Sequence, residues 1–140
     1  MGPKLYIAVF KGDPVDLQST RHTALFIGED NQAKGDLLHV NGSAGIFAFE
    51  RRQDVNPAAS RTFLKKIPVE PLRKTPTKAQ LIDAIKGTNI NNTTRSWNCH
   101  TSVGDALQRV LGNKWISAQS KSQAFHEMAD IIVQAEDEES

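Results

Sequence analysis

The hydrophobic period changes halfway along the chain, and that change limits the fold more than any other feature. Up to residue 69 the apolar residues come in short runs rich in β-branched and aromatic side chains: Leu5 to Phe10, His22 to Ile27, Leu37 to Val40, Ile46 to Phe49 and Phe63 to Val69. Breakers separate them, at Gly12-Asp13-Pro14, Gly28, Asn41-Gly42-Ser43-Ala44-Gly45, and Pro68 with Pro71. Runs punctuated in this way read as strands. From Thr77 onward the apolar residues instead recur three and four apart, the period of a helix face. Four or five strands followed by helices predict an α+β domain in which a small antiparallel sheet packs against about three helices.

With 140 residues, 39% of them hydrophobic and 24% charged, a sizeable core can form, and residues 1–135 are expected to make one domain. Residues 136–140 are expected to be a frayed acidic tail, because Glu136-Asp137-Glu138-Glu139 follows the negative end of the last helix dipole. The 17 Lys+Arg oppose 16 Asp+Glu, and a net charge of +1 gives no overall electrostatic reason to bind nucleic acid. One cysteine rules out an intramolecular disulfide framework, iron–sulfur clusters and zinc sites built on several thiolates. A lone thiol suits a reducing compartment, and Leu5 to Phe10 is too short for a membrane span, so the expected location is cytoplasmic.

The helical half is well punctuated. Thr77-Lys78-Ala79-Gln80 is a capping-box pattern, with Leu81, Ile82 and Ile85 on one face before Gly87. Cys99, Val103, Ala106, Leu107, Val110 and Leu111 then form one apolar stripe ending at Gly112, which puts Cys99 in a first turn with Asn98 as N-cap. A last helix is expected from Ser120 to about Gln134, with Gln123 completing a second capping box.

Cys99 is the first candidate for chemistry. A helix N-terminus presents unpaired N–H groups and about half a positive charge, which lowers a thiol pKa and offers donors to a developing oxyanion. A free cysteine is equally at home as a small buried hydrophobe, so position alone leaves both readings open. His22 and His39 favour the nucleophile. On an antiparallel hairpin they stand directly opposite if the residue numbers of paired positions sum to 61, and diagonally on the same face if they sum to 59 or 63. A sum of 61 leaves Glu29-Asp30-Asn31-Gln32 as the loop.

The run His22-Thr-Ala-Leu-Phe-Ile-Gly28, then Leu37-Leu-His39-Val40, then Asn98-Cys99 opening an amphipathic helix resembles the circularly permuted papain-like fold. That group includes lecithin:retinol acyltransferase-like proteins, PPPDE isopeptidases and permuted NlpC/P60 relatives. The resemblance spans residues 22–111 and implies that His22 is the general base, Cys99 the nucleophile and His39 a third polar group. The acyltransferase-like branch reads Asn-Cys-Glu-His-Phe-Val at its cysteine, whereas Asn98-Cys99-His100-Thr101-Ser102-Val103 displaces the histidine by one. His22-Thr23 is closer to the PPPDE style, in which a third group is often absent.

Around these residues, Asn98 or the N–H of Cys99 is expected to line an oxyanion hole, and Trp97 either walls the substrate cleft or serves as a structural aromatic. His100 points away from the apolar stripe and reads as solvated, as does His126 beside Phe125. Residues 51–78 are locally basic, and Arg51, Arg52, Lys65 and Lys66 are either a docking face for an acidic partner or membrane surface, or simply solvated. Phosphate-loop, dinucleotide and His-Glu-x-x-His motifs are absent. The function expected is a thiol hydrolase that cleaves an amide or isopeptide bond in a peptide or protein substrate, without a cofactor. An acyltransferase or lipase acting on an acyl substrate uses the same chemistry. A binding domain without turnover and a His₂Cys metal site built on His22, His39 and Cys99 are the readings from other classes.

Overall fold

The computed structural model describes residues 3–12, 16, 21–29, 33–41, 45–70, 72–74, 76–93 and 97–135. The expected acidic tail at 136–140 lies outside the described residues. Strands β1 (Pro3–Phe10), β2 (His22–Glu29), β3 (Gly35–Asn41), β4 (Ala48–Val55) and β5 (Phe63–Pro68) precede helices α1 (Lys78–Lys86), α2 (Cys99–Gly112) and α3 (Ala118–Ile132). The strands form one sheet in the order β4-β3-β2-β1-β5, antiparallel at every junction. The molecule is therefore the expected α+β domain.

Side chains alternate across a strand, so each strand feeds two layers. Leu5, Ile7 and Val9 of β1, Leu25 and Ile27 of β2, and Leu38 of β3 face the helices and meet Leu81, Val103, Leu107 and Met128. The alternate residues Ala8, Phe10, Ala24, Phe26 and Leu37 form a second, smaller cluster on the other face. Because β1 and β2 are covered on both faces, they read as unbroken apolar runs in the sequence.

β4 is an edge strand, as β5 is at the other side, and behaves oppositely. It shares Ala48 and Phe49 with the expected Ile46 to Phe49 run but continues through the exposed Arg51-Arg52-Gln53-Asp54 to Val55, while Ile46, 71% exposed, lies before it. Charged residues on an edge blunt strand addition, and the same charges hide the strand from a hydrophobic pattern. α3 begins one turn earlier than expected. Ser117 is the cap, accepting from the Ser120 N–H, while Ser120 is buried inside the helix and donates its hydroxyl to the Glu70 carbonyl. The capping box of α1 at Thr77 forms as expected, and Asn98 caps α2 as expected, with Thr101 completing a capping box there beyond that expectation.

The register that matters most is that of β2 on β3. Leu25 pairs with Leu38 and Phe26 with Leu37, a sum of 63, so His22 and His39 stand diagonally on one face. Glu29 ends β2, and Asp30, Asn31 and Gln32 of the expected loop lie outside the described residues.

Candidate active site

Asn98 decides where the thiol sits. Its extended backbone stops the chain from continuing as helix N-terminally, and its Oδ1 accepts from the His100 and Thr101 N–H groups at 3.0 and 3.2 Å. Cys99 thereby becomes the first residue of α2, half-buried at the positive end of the helix dipole. His22 is the first residue of β2, and the carbonyl of Arg21 just before it lies 3.9 Å from the Cys99 Sγ. The end of the sheet and the start of the helix thus meet at the sulfur.

From the His22 ring a hydrogen-bonded line runs outward across the sheet. His22 Nε2 and His39 Nδ1 are 2.6 Å apart, and His39 Nε2 and Glu50 Oε1 are again 2.6 Å apart. Glu50 pairs directly opposite His39 on β4, and Asn41 donates to the same carboxylate oxygen at 2.8 Å. The line fixes the tautomers. A carboxylate only accepts, so His39 carries its proton on Nε2 and, when neutral, offers a lone pair at Nδ1. His22 must then donate from Nε2, which leaves its Nδ1 as the basic nitrogen. Burial holds the His39 pKa below its ordinary value despite the opposing pull of Glu50, which keeps that ring neutral and the relay directional.

A second imidazole reaches the thiol. His100, expected in solvent, is half-buried, and its Nε2 lies 2.6 Å from the Arg21 carbonyl, so that nitrogen donates. Burial pushes the His100 pKa down, but its hydrogen bond to Cys99 and the sulfur's charge outweigh that and raise it. At Cys99 burial pushes the pKa up, and hydrogen bonds from His100 and then His22 overcome it, bringing the thiol from 9.0 to about 5. The thiolate is the dominant form at neutral pH. Arg21 anchors this corner: Asp16 grips its guanidinium with two 2.9 Å bonds, and Nη1 donates to the Ile131 carbonyl at the end of α3.

Residues 5–124, from β1 into α3, match a family described as "Family of unknown function (DUF6540)". The chain is a member of DUF6540. No curated protein and no solved structure matches it.

In this DUF6540 chain several expected site residues serve other ends. Trp97 is buried, donates from Nε1 to Asp105 at 3.0 Å and packs edge-on against Phe47 at 5.5 Å, so it pins the entry to β4 against α2, the structural role expected as its alternative. The Asn98 Oδ1 accepts from the His100 and Thr101 N–H groups and cannot serve an oxyanion, so the donors here are the Asn98 Nδ2 and the Cys99 N–H. Arg51 and Arg52 on β4 and Lys65 and Lys66 on β5 belong to opposite edges of the sheet, and neighbours along each strand point to opposite faces, so they form no common patch. Arg51 is spent on Asp36 at 2.6 Å, and Lys66 lies over the Tyr6 ring at 4.5 Å. His126 is exposed, as expected.

The His₂Cys metal reading fails on geometry. His22 and His39 turn ring nitrogens toward each other and not toward a shared point with the sulfur, and no group of three His, Cys, Asp or Glu among the described residues is arranged to hold a metal. Glu50 and His100 were missed in the sequence for different reasons. Glu50 belongs to a strand without an apolar signature. His100 falls off the apolar stripe of α2, yet at a helix N-terminus the flanks also meet the sheet end.

Two cavities flank the histidines. A small one of about 20 Å³ on the helix side is lined by Thr23, His39, Cys99 and Ser102, room for about one water. On the other side His22 and His39 form the wall of an open groove of about 600 Å³. No helix among the described residues is long and apolar enough to cross a membrane.

Proposed function

We propose that this chain is a cysteine hydrolase that cleaves an amide or isopeptide bond through a thioester on Cys99, as its resemblance to permuted papain-like proteins implies. The observation that carries the reading is the hydrogen-bonded line Glu50–His39–His22, whose inner end, His22, follows Arg21, the residue whose carbonyl lies 3.9 Å from a thiol on a helix N-terminus. In this scheme the Cys99 thiolate attacks the carbonyl carbon, and the Cys99 N–H supports the developing oxyanion. His22 takes the thiol proton at Nδ1 when the thiolate forms, and as the C–N bond breaks it gives that proton to the departing nitrogen. Water then attacks the thioester and returns a proton to His22, and the C–S bond breaks to release the acid and the thiolate. His39 and Glu50 hold the His22 tautomer and orientation. His100 pairs with the thiolate before attack, which leaves His22 free for proton transfer. A lone activated thiol suits a reducing compartment, and we assign the protein to the cytoplasm on that ground.

A thiol-directed activity probe with mass-spectrometric mapping tests the reading. Labelling at Cys99 near neutral pH, lost in His22→Gln, is the expected result; a Cys99 that reacts only after denaturation overturns it.

A further inference from the structure

The 600 Å³ groove is bounded by His22 and His39 but not by Cys99, and this asymmetry assigns a half of the substrate to it. Its lining is apolar at Phe10, Leu37 and Val55, and it also holds the side chains of Lys11 and Arg52. Among the described residues neither cation has a carboxylate oxygen within 4 Å, although at longer range Lys11 acts on Asp16 and Arg52 on Glu50. We infer that the groove takes the leaving-group half of the substrate, and that this half is an apolar amino acid or dipeptide ending in a free carboxylate held by Lys11 and Arg52.

The inference rests on the hydrolase reading, because the mechanism itself orients the substrate. The nitrogen that departs must lie against the imidazole that protonates it, while the acyl carbon lies against sulfur. A space that meets His22 and not Cys99 is therefore on the nitrogen's side of the bond. Its volume is in the range of small-ligand sites, enough for a dipeptide. Phe10, Leu37 and Val55 reward an apolar side chain, and two cations without a close carboxylate among the described residues reward a carboxylate over an amide.

The test uses the Cys99→Ala chain, which binds without turning over, titrated by NMR with N-acetyl-leucyl-leucine and with its C-terminal amide. The acid should bind about fivefold tighter than the amide, the order expected of two exposed ion pairs. Adding Lys11→Gln and Arg52→Gln should bring the two ligands to parity; both side chains are exposed, so the changes remove no packing. Equal affinities in the Cys99→Ala chain, a preference that survives both substitutions, or no binding of either ligand overturns the assignment. Iodoacetamide labelling of the unsubstituted chain separates the two ideas. A reactive Cys99 with no acid preference sinks the groove assignment alone, whereas an unreactive Cys99 sinks the hydrolase reading.

Discussion

At Cys99 two opposing effects act on one atom, and their balance is measurable. Burial favours the neutral thiol, while His100 and His22 favour the thiolate strongly enough to bring the pKa to about 5. The rate of alkylation by iodoacetamide should therefore be half-maximal near pH 5, far below the roughly 8.5 of a free thiol. Replacing either histidine leaves burial in place and removes one partner, so His100→Ala and His22→Ala should each move the midpoint up by about a unit, worth about 1.4 kcal/mol. A midpoint that ignores His100→Ala would show that this ring only bridges to the Arg21 carbonyl. Glu50 acts at one remove, through His39. Glu50→Ala should lower turnover about 10–100-fold, by analogy with other orienting partners. Glu50→Gln should recover most of it, because the amide oxygen still accepts from His39 Nε2. Equal losses in both variants would mean that charge, and not tautomer, is what Glu50 supplies.

Between elements, the β2–β3 pairing carries the site, since one residue of slippage would send His39 to the helix face. Gly35, at the first position of β3, is where that pairing is most exposed to disruption. A Cβ there would come within 2.2 Å of the Ile27 carbonyl oxygen and 2.9 Å of the Phe26 ring. Backbone cannot yield as a side-chain tip can, so Gly35→Ala should destabilise the fold by about 2 kcal/mol. It should also weaken the His22–His39 contact, read as a change in the histidine ring resonances. Thermal melting and NMR on the same variant check both effects; an unshifted melting point would show that β3 simply moves aside.

Over the whole molecule, polar ties join the sheet to the helices where the apolar core stops. Asp36 on β3, almost fully buried, meets Arg51 from β4 and Lys78 from the start of α1, each at 2.6 Å. Burial pushes its pKa up, but the hydrogen bonds from Lys78 and Arg51 prevail and hold it below the usual carboxylate value of 3.8. The sign follows from linkage: between the two pKa values the unfolded chain binds more protons than the native one, so stability rises with pH there. The contribution is complete above about pH 4 and is lost as the pH falls through the native pKa. Asp36→Asn should cost about 2 kcal/mol at pH 7, less than for a fully buried pair because Arg51 and Lys78 retain access to water. It should also flatten the acid side of the stability curve. Denaturant unfolding at pH 7 and at pH 3 measures both, and an unchanged acid dependence would remove Asp36 from the account.

What the sequence determined by itself was local or periodic, apart from the α3 cap, which lies at Ser117 and not at Ser120. The order of strands and helices, the caps at Thr77 and Asn98, and Cys99 at the head of a helix follow from spacing and from side chains that bond to backbone within a turn. It made a shared face for the two histidines conditional on an odd register sum, a choice it left open, and the observed sum of 63 meets the condition. Only the tertiary structure decided the rest. Glu50 reaches His39 because an edge strand lies beside β3, and an edge strand gains little from apolar residues, so nothing in its composition announces it. His100 faces the sulfur and Trp97 turns to Phe47 and Asp105 because of how α2 docks on the sheet end, a contact between residues far apart in the chain. Helical period specifies which face is apolar; which polar side chain lies beside another is set by packing between elements, to which that period is blind.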